Sequence, residues 1–162
     1  KPWKGVVMHS VPSDYKSLPG ESSEPNSNLE LEFIHGYRCH DTRNNLRYTF
    51  NGGIAYHSAA VGIIFEKENR SQKFFFDHID DITSLAIHPN RKIIATGEVG
   101  PYPLIALWNS ETMECIIRMN GPLQKGINHL AFSKDGKYLV GRKCFTHNCE
   151  SFSYVSAAIG FL

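Results

Sequence analysis

The chain has 162 residues, of which 41% are apolar and 20% charged, and its formal net charge is +1. That composition belongs to a globular chain rather than a disordered one, and the near-cancelled charge offers no basic surface for nucleic acid or an anionic membrane. Apolar runs are too short for a membrane-spanning helix, and the cysteines at 39, 115, 144 and 149 form no dense disulfide pattern, so a reduced, cytoplasmic chain is expected.

The chain opens on Lys1 rather than methionine and reads as a piece of a longer protein. Residues 1–28 read as a flexible linker, because Pro2, Pro12, Pro19, Gly20 and Pro25 interrupt it, with serine and asparagine between them. The next stretch, "LELEFIHGYRCHDTRNNLRYTF" (residues 29–50), sets Arg38, Asp41, Arg43, Asn44, Asn45 and Arg47 among apolar groups. It has no helical period, and strand alternation emerges only from Asn45 onward, where Leu46, Tyr48 and Phe50 alternate with polar residues.

From there the pattern is β. Asn51-Gly52-Gly53 is a tight turn, and the spacing predicts strands over 54–56, 60–65 and 73–76. A second set is predicted over 82–87, 92–97, 104–108 and 114–118, with turns at 88–91 and 109–112 and a Gly/Pro loop at 98–103. A third begins over 127–132 and 137–140. Ile82 aligns with Ile127, Leu85 with Leu130, Ala86 with Ala131 and Lys92 with Lys137, each 45 residues apart. A four-strand unit recurring at that interval has the period of a propeller blade. The tail from Arg142 to Leu162 carries no matching pattern.

Chemistry-bearing motifs are scarce. Cys144, His147 and Cys149 are metal-ligand types, but a structural zinc site needs four ligands and this spacing fits no finger. No phosphate-binding loop, nucleophile elbow or His-Glu-x-x-His is present, so a metal-dependent enzyme is only a remote alternative. No catalytic residue, metal or cofactor is expected.

Asp77-His78 stands where a WD repeat has Gly-His, Trp108-Asn109 where it has Trp-Asp, and Thr96 lies on the strand between. The second unit thus resembles a WD-repeat blade. That resemblance implies a hydrogen-bonded structural network of His78, Thr96 and Trp108. It departs from the pattern at Asp77 and Asn109, and the loop 98–103 lacks the aspartate that often completes the network. Upstream, Leu29-Glu30-Leu31-Glu32, Gly36-Tyr37-Arg38, Asp41 and Arg43-Asn44-Asn45-Leu46 resemble the HELP motif, with Cys39-His40 departing from a Gly-rich step. Taken together, residues 29–141 resemble the echinoderm microtubule-associated protein-like family.

The resemblance implies an all-β partial β-propeller of four-stranded antiparallel WD blades, belonging to a larger tandem propeller. The expected divisions are a linker over 1–28, the HELP motif and first blade over 29–76, a WD blade over 77–121, a partial blade over 122–141 and a divergent tail over 142–162. It also implies a cytoskeletal protein that contacts tubulin or microtubules. Tyr37, Arg38, Arg43, Asn44 and Asn45 are the candidate contacts, against the alternative that they close the first blade internally. The rival function is a WD-repeat adaptor for a signalling or ubiquitin-ligase complex.

Overall fold

The computed structural model describes residues 2–16, 18–19, 26–120, 125–142 and 154–158. The chain divides into two units, residues 1–31 and 32–162. The first contains helix α1, Pro2–Ser10, within the segment read from sequence as a linker. Proline is tolerated at a helix start, where its missing N–H would have no intrahelical partner, and the Ser10 hydroxyl donates to the Val6 carbonyl one turn back at 2.7 Å.

The second unit is all-β. Strands β1 (Arg47–Tyr48), β2 (Ile54–Ser58), β3 (Val61–Glu66) and β4 (Ser71–Phe75) form an antiparallel sheet in chain order, the first blade. Strands β5 (Ile82–Ile87), β6 (Ile93–Gly100), β7 (Leu104–Asn109) and β8 (Cys115–Asn120) form the second, with β9 (Lys125–Gly126) added beside the end of β6. Strands β10 (His129–Phe132) and β11 (Tyr138–Arg142) start a third sheet. Within the tail, β12 (Tyr154–Ala158) pairs antiparallel along β11, although no strand was legible there in the sequence. The remaining tail positions, including the Cys144–Cys149 cluster, lie outside the described residues.

The internal repeat is visible in the register. Leu85 pairs with Thr96 and Ala86 with Ala95; 45 residues on, Leu130 pairs with Gly141 and Ala131 with Val140. The second blade is buried on both faces. Leu85, Ile94, Ala106 and Trp108 enter a core with Ala55, Ile64 and Phe75 of the first blade. Their strand neighbours Ala86, Ala95, Ile105 and Leu107 enter a second core with Ile127 and Leu139 of the third. Two buried faces explain why β5 to β7 are almost continuously apolar rather than alternating.

The blades meet closely at glycines. A Cβ on Gly62 would lie 3.0 Å from Trp108 Cζ2. One on Gly97 would lie 2.7 Å from both Ile127 Cγ2 and Ser84 Oγ. Gly97→Ala is therefore expected to cost about 1–3 kcal/mol by overpacking the second core. The readout is a lower urea midpoint at an unchanged slope, whereas an unchanged midpoint would show that Ile127 does not seat on this backbone.

The opening of the second unit lies on the face of the first blade turned away from the second. Phe33 meets Phe65 edge-to-face with centroids 6.4 Å apart, and Tyr37 meets Tyr56 at 6.0 Å. The Gln72 side chain accepts from Ile34 N at 2.7 Å and donates to Ile34 O at 2.9 Å and to the Tyr56 hydroxyl at 2.7 Å. One amide thus fixes an irregular segment that has no strand partner there to satisfy its backbone.

Candidate functional site

Two polar constellations organise the first two blades. The first is buried between them. Trp108 Nε1 donates to Thr96 Oγ1 at 3.1 Å, Thr96 Oγ1 lies 2.7 Å from His78 Nε2, and His78 Nδ1 lies 2.8 Å from Glu98 Oε2. An indole N–H can only donate, so the Thr96 oxygen accepts from it and passes its own proton to Nε2. His78 then carries its proton on Nδ1 and donates to the Glu98 carboxylate. Burial holds the His78 pKa below its usual value, and Glu98 opposes that shift only in part, so the ring is neutral. Glu98 is 2% exposed, and it also accepts from Ile79 N and Leu104 N, each at 3.2 Å.

The structure thus brings His78, Thr96 and Trp108 together and adds Glu98, the first residue of the loop that the sequence shows to lack the usual aspartate. Strand β6 runs on to Gly100, so Thr96 and Glu98 lie two apart on one strand face. An acid two residues after the threonine was the available signal. Phe75 of the first blade stacks on the Trp108 indole, with centroids 4.8 Å apart and planes at 9°.

The departures from the WD pattern have local explanations. Asn109 Oδ1 accepts from Glu111 N at 2.8 Å and Thr112 N at 3.4 Å, a turn that needs an acceptor oxygen and no charge. Asp77 pairs with Arg118 of β8, which holds the Asp77 carboxyl below the usual range.

The second constellation is the HELP-like stretch. Arg38 grips Asp41 with two nitrogens, Nε at 2.8 Å and Nη2 at 2.6 Å, and reaches Asp81 of the second blade with Nη1 at 2.6 Å. The guanidinium holds the Asp41 carboxyl below its ordinary pKa. Asn45 is buried, donates to Thr42 Oγ1 at 2.7 Å and accepts from the Tyr37 hydroxyl at 2.7 Å. Asn44 has φ 57°, a left-handed conformation that asparagine tolerates, and its exposed side chain is not part of this network. Arg43 is exposed and turns back to the carbonyls of Cys39 and Thr42. Of the five candidate contacts, Arg38 and Asn45 are engaged internally and Tyr37 partly so. Arg43 and Asn44 face outward.

No group of three or more His, Cys, Asp or Glu among the described residues is arranged to hold a metal ion. No described helix is long and apolar enough to cross a membrane.

Comparison with known proteins fits this architecture. The HELP motif family matches residues 24–63, and the WD domain, G-beta repeat family matches residues 69–100 and 113–146. Each WD match starts near or on the last strand of one blade and runs into the next, so the sequence repeat is out of phase with the sheets. The 77 kDa echinoderm microtubule-associated protein of Strongylocentrotus purpuratus is 34% identical over 137 residues, covering 79% of this chain and 20% of that protein. Echinoderm microtubule-associated protein-like 1 of Homo sapiens is 33% identical over 130 residues, covering 75% and 16% respectively. The like-4 protein of Xenopus laevis is 31% identical over 134 residues, covering 76% and 14%. The chain therefore spans a fifth or less of the length of these relatives. Among solved structures, Kuenenia stuttgartiensis Hydrazine Synthase shares the fold at a TM-score of 0.61 and 18% identity, over 70% of this chain and 33% of that one. That likeness concerns fold alone.

Proposed function

We propose, from the premise that this chain is a HELP-motif and WD-repeat relative of the echinoderm microtubule-associated proteins, that it is part of a cytoskeletal interaction scaffold that binds tubulin or microtubules in the cytoplasm. No reaction is involved. The observation that carries the reading is a HELP-motif match followed by WD repeats, with Arg38 of the HELP stretch linked to Asp81 of the second blade. A generic WD adaptor has no need of that strap.

Binding works through surface complementarity rather than chemistry. Arg38 and Asn45 hold the strap, so their role in binding is to shape it. Arg43 and Asn44 are the outward-facing groups available to a partner. A single exposed charge on the rim of an interface tunes association more than it anchors it.

Microtubule co-sedimentation of this chain, beside a version extended toward the length of its relatives, tests the reading. Pelleting that weakens from low to moderate salt is expected, with Arg43→Ala about two- to fivefold weaker, as for a rim charge worth under 1 kcal/mol. If neither form pellets or binds free tubulin while its circular dichroism stays that of a folded β protein, the cytoskeletal reading fails. Recovery of adaptor complexes instead of tubulin in a pull-down would favour the rival.

A further inference from the structure

A second feature lies where β7 ends, just beyond Trp108. A cavity of about 400 Å³ opens between the turns of the first blade and the β7–β8 turn of the second. Gly52, Gly53 and Ile64 line it alongside Glu68, Ser110 and Glu111. Ser110 is 4% exposed, and its Oγ has no hydrogen-bond partner among the described residues. A buried hydroxyl left unsatisfied is costly, and a native fold rarely keeps one without use.

Among the lining residues the acids Glu66, Glu68 and Glu111 outnumber the bases Lys67 and Lys73. Of the lining bases, Lys73 is committed to Glu66 at 2.6 Å. That leaves Lys67 against two acids, Glu68 and Glu111. Glu111 Oε1 accepts from Asn51 Nδ2 at 3.0 Å and lies 3.9 Å from Lys92 Nζ, a loose ion pair made through that one oxygen. Ile64 and the two glycines supply an apolar wall against which an aliphatic stem can lie.

We propose that this cavity receives a basic side chain, lysine or arginine, from a protein partner. The stem lies against Ile64 and Gly52-Gly53, and the cationic head donates to Ser110 Oγ and to the Glu111 and Glu68 carboxylates. A cation with several N–H donors suits this mixed set of acceptors better than a bare ion, which asks for a closed shell of oxygens. The site does not depend on the partner being tubulin.

The test is titration of the full chain with N-acetyl-arginine methylamide, beside the isosteric neutral citrulline derivative and the N-acetyl-glutamate derivative, read by amide chemical shifts. Saturable shifts at Gly52, Gly53, Ser110 and Glu111 are expected with the arginine probe, with citrulline at least about fivefold weaker, the scale of losing one charge-assisted hydrogen bond. Ser110→Ala and Glu68→Gln should each weaken the arginine probe by about two- to tenfold. Neither removes a contact that holds the fold, and the alanine variant relieves an unpaired hydroxyl. Equal binding of citrulline, preference for the glutamate probe, shifts confined to other residues, or no saturation would each overturn the proposal. Microtubule binding does not enter this readout, so its loss and the loss of this site are separable.

Discussion

Replacing Glu98 by alanine is expected to lower the unfolding free energy by roughly 3–5 kcal/mol. One carboxylate takes hydrogen bonds from His78 Nδ1, Ile79 N and Leu104 N; the His78 donor would be left buried without an acceptor, and the two part-buried amides would lose theirs. Ile79 precedes β5 and Leu104 opens β7, so the substitution loosens two chain connections at once. Glu98→Gln retains the shape but offers one good acceptor oxygen and adds two donors, so it should recover less than half of the loss. A cycle with His78→Phe separates the terms. If the pair acts as one unit, the double variant costs little more than Glu98→Ala alone. The measurement is urea unfolding followed by tryptophan fluorescence in a Trp3→Phe background, and a Glu98→Ala loss below about 1 kcal/mol would mean that water replaces the carboxylate.

Stability should also fall as the solution is acidified from about pH 6.5 toward pH 4, by about 3 kcal/mol. His57 on β2 is fully buried, and neither ring nitrogen has a hydrogen-bond partner among the described residues. Burial, reinforced by the charge of nearby Arg38, pushes its pKa down from 6.5 to about 4, while Asp41 and Asp81 oppose the shift. The folded state therefore binds this proton later than the unfolded one does. Its contribution is complete above pH 6.5 and is lost as pH falls toward 4, at about 1.4 kcal/mol per unit. His78, also lowered by burial, adds in the same direction. Asp41 and Asp77 are held low by their arginines, so their contributions persist until the pH drops below about 4, outside this window. His57→Leu removes the unpaired nitrogens. It should leave stability at pH 7 equal or slightly higher and flatten the acid slope. A wild-type urea midpoint that stays constant from pH 7 to pH 4.5 would contradict the buried neutral ring.

Much of this architecture is legible in the residues, because period and burial act locally. The strands around Ile82, Ile93 and Leu104 announce themselves by apolar runs, and the offset from Leu85 to Leu130 carries through to identical pairing registers. The Arg38–Asp41 pair sits three residues apart and is readable, whereas Asp81, 43 residues from Arg38, is brought near only by the packing of the strap on the blades. Glu98 was hidden by a boundary. Gly97 and the following Gly/Pro residues suggest a loop, but β6 runs on to Gly100, and Gly97 makes room for Ile127. Two-residue β9 and the tail strand β12 owe their existence to partners, β6 and β11, rather than to propensity of their own. Helix α1 was masked by Pro2 and Gly5, which weigh against a helix in a window count even though proline is permitted at the first turn.

The two-sided burial of the second blade constrains how its length can evolve. Successive residues of β6 serve different cores, with Ile94 on one side and Ala95 on the other. Inserting or deleting one residue within the strand would exchange the occupants of both cores, placing an isoleucine where only a methyl fits and leaving a void across the sheet. A change of two would restore the faces and move only the ends. Tolerated length changes within this strand should therefore come in even numbers, while the turns at 88–91 and 109–112, which put no residue into either core, are free of that parity rule.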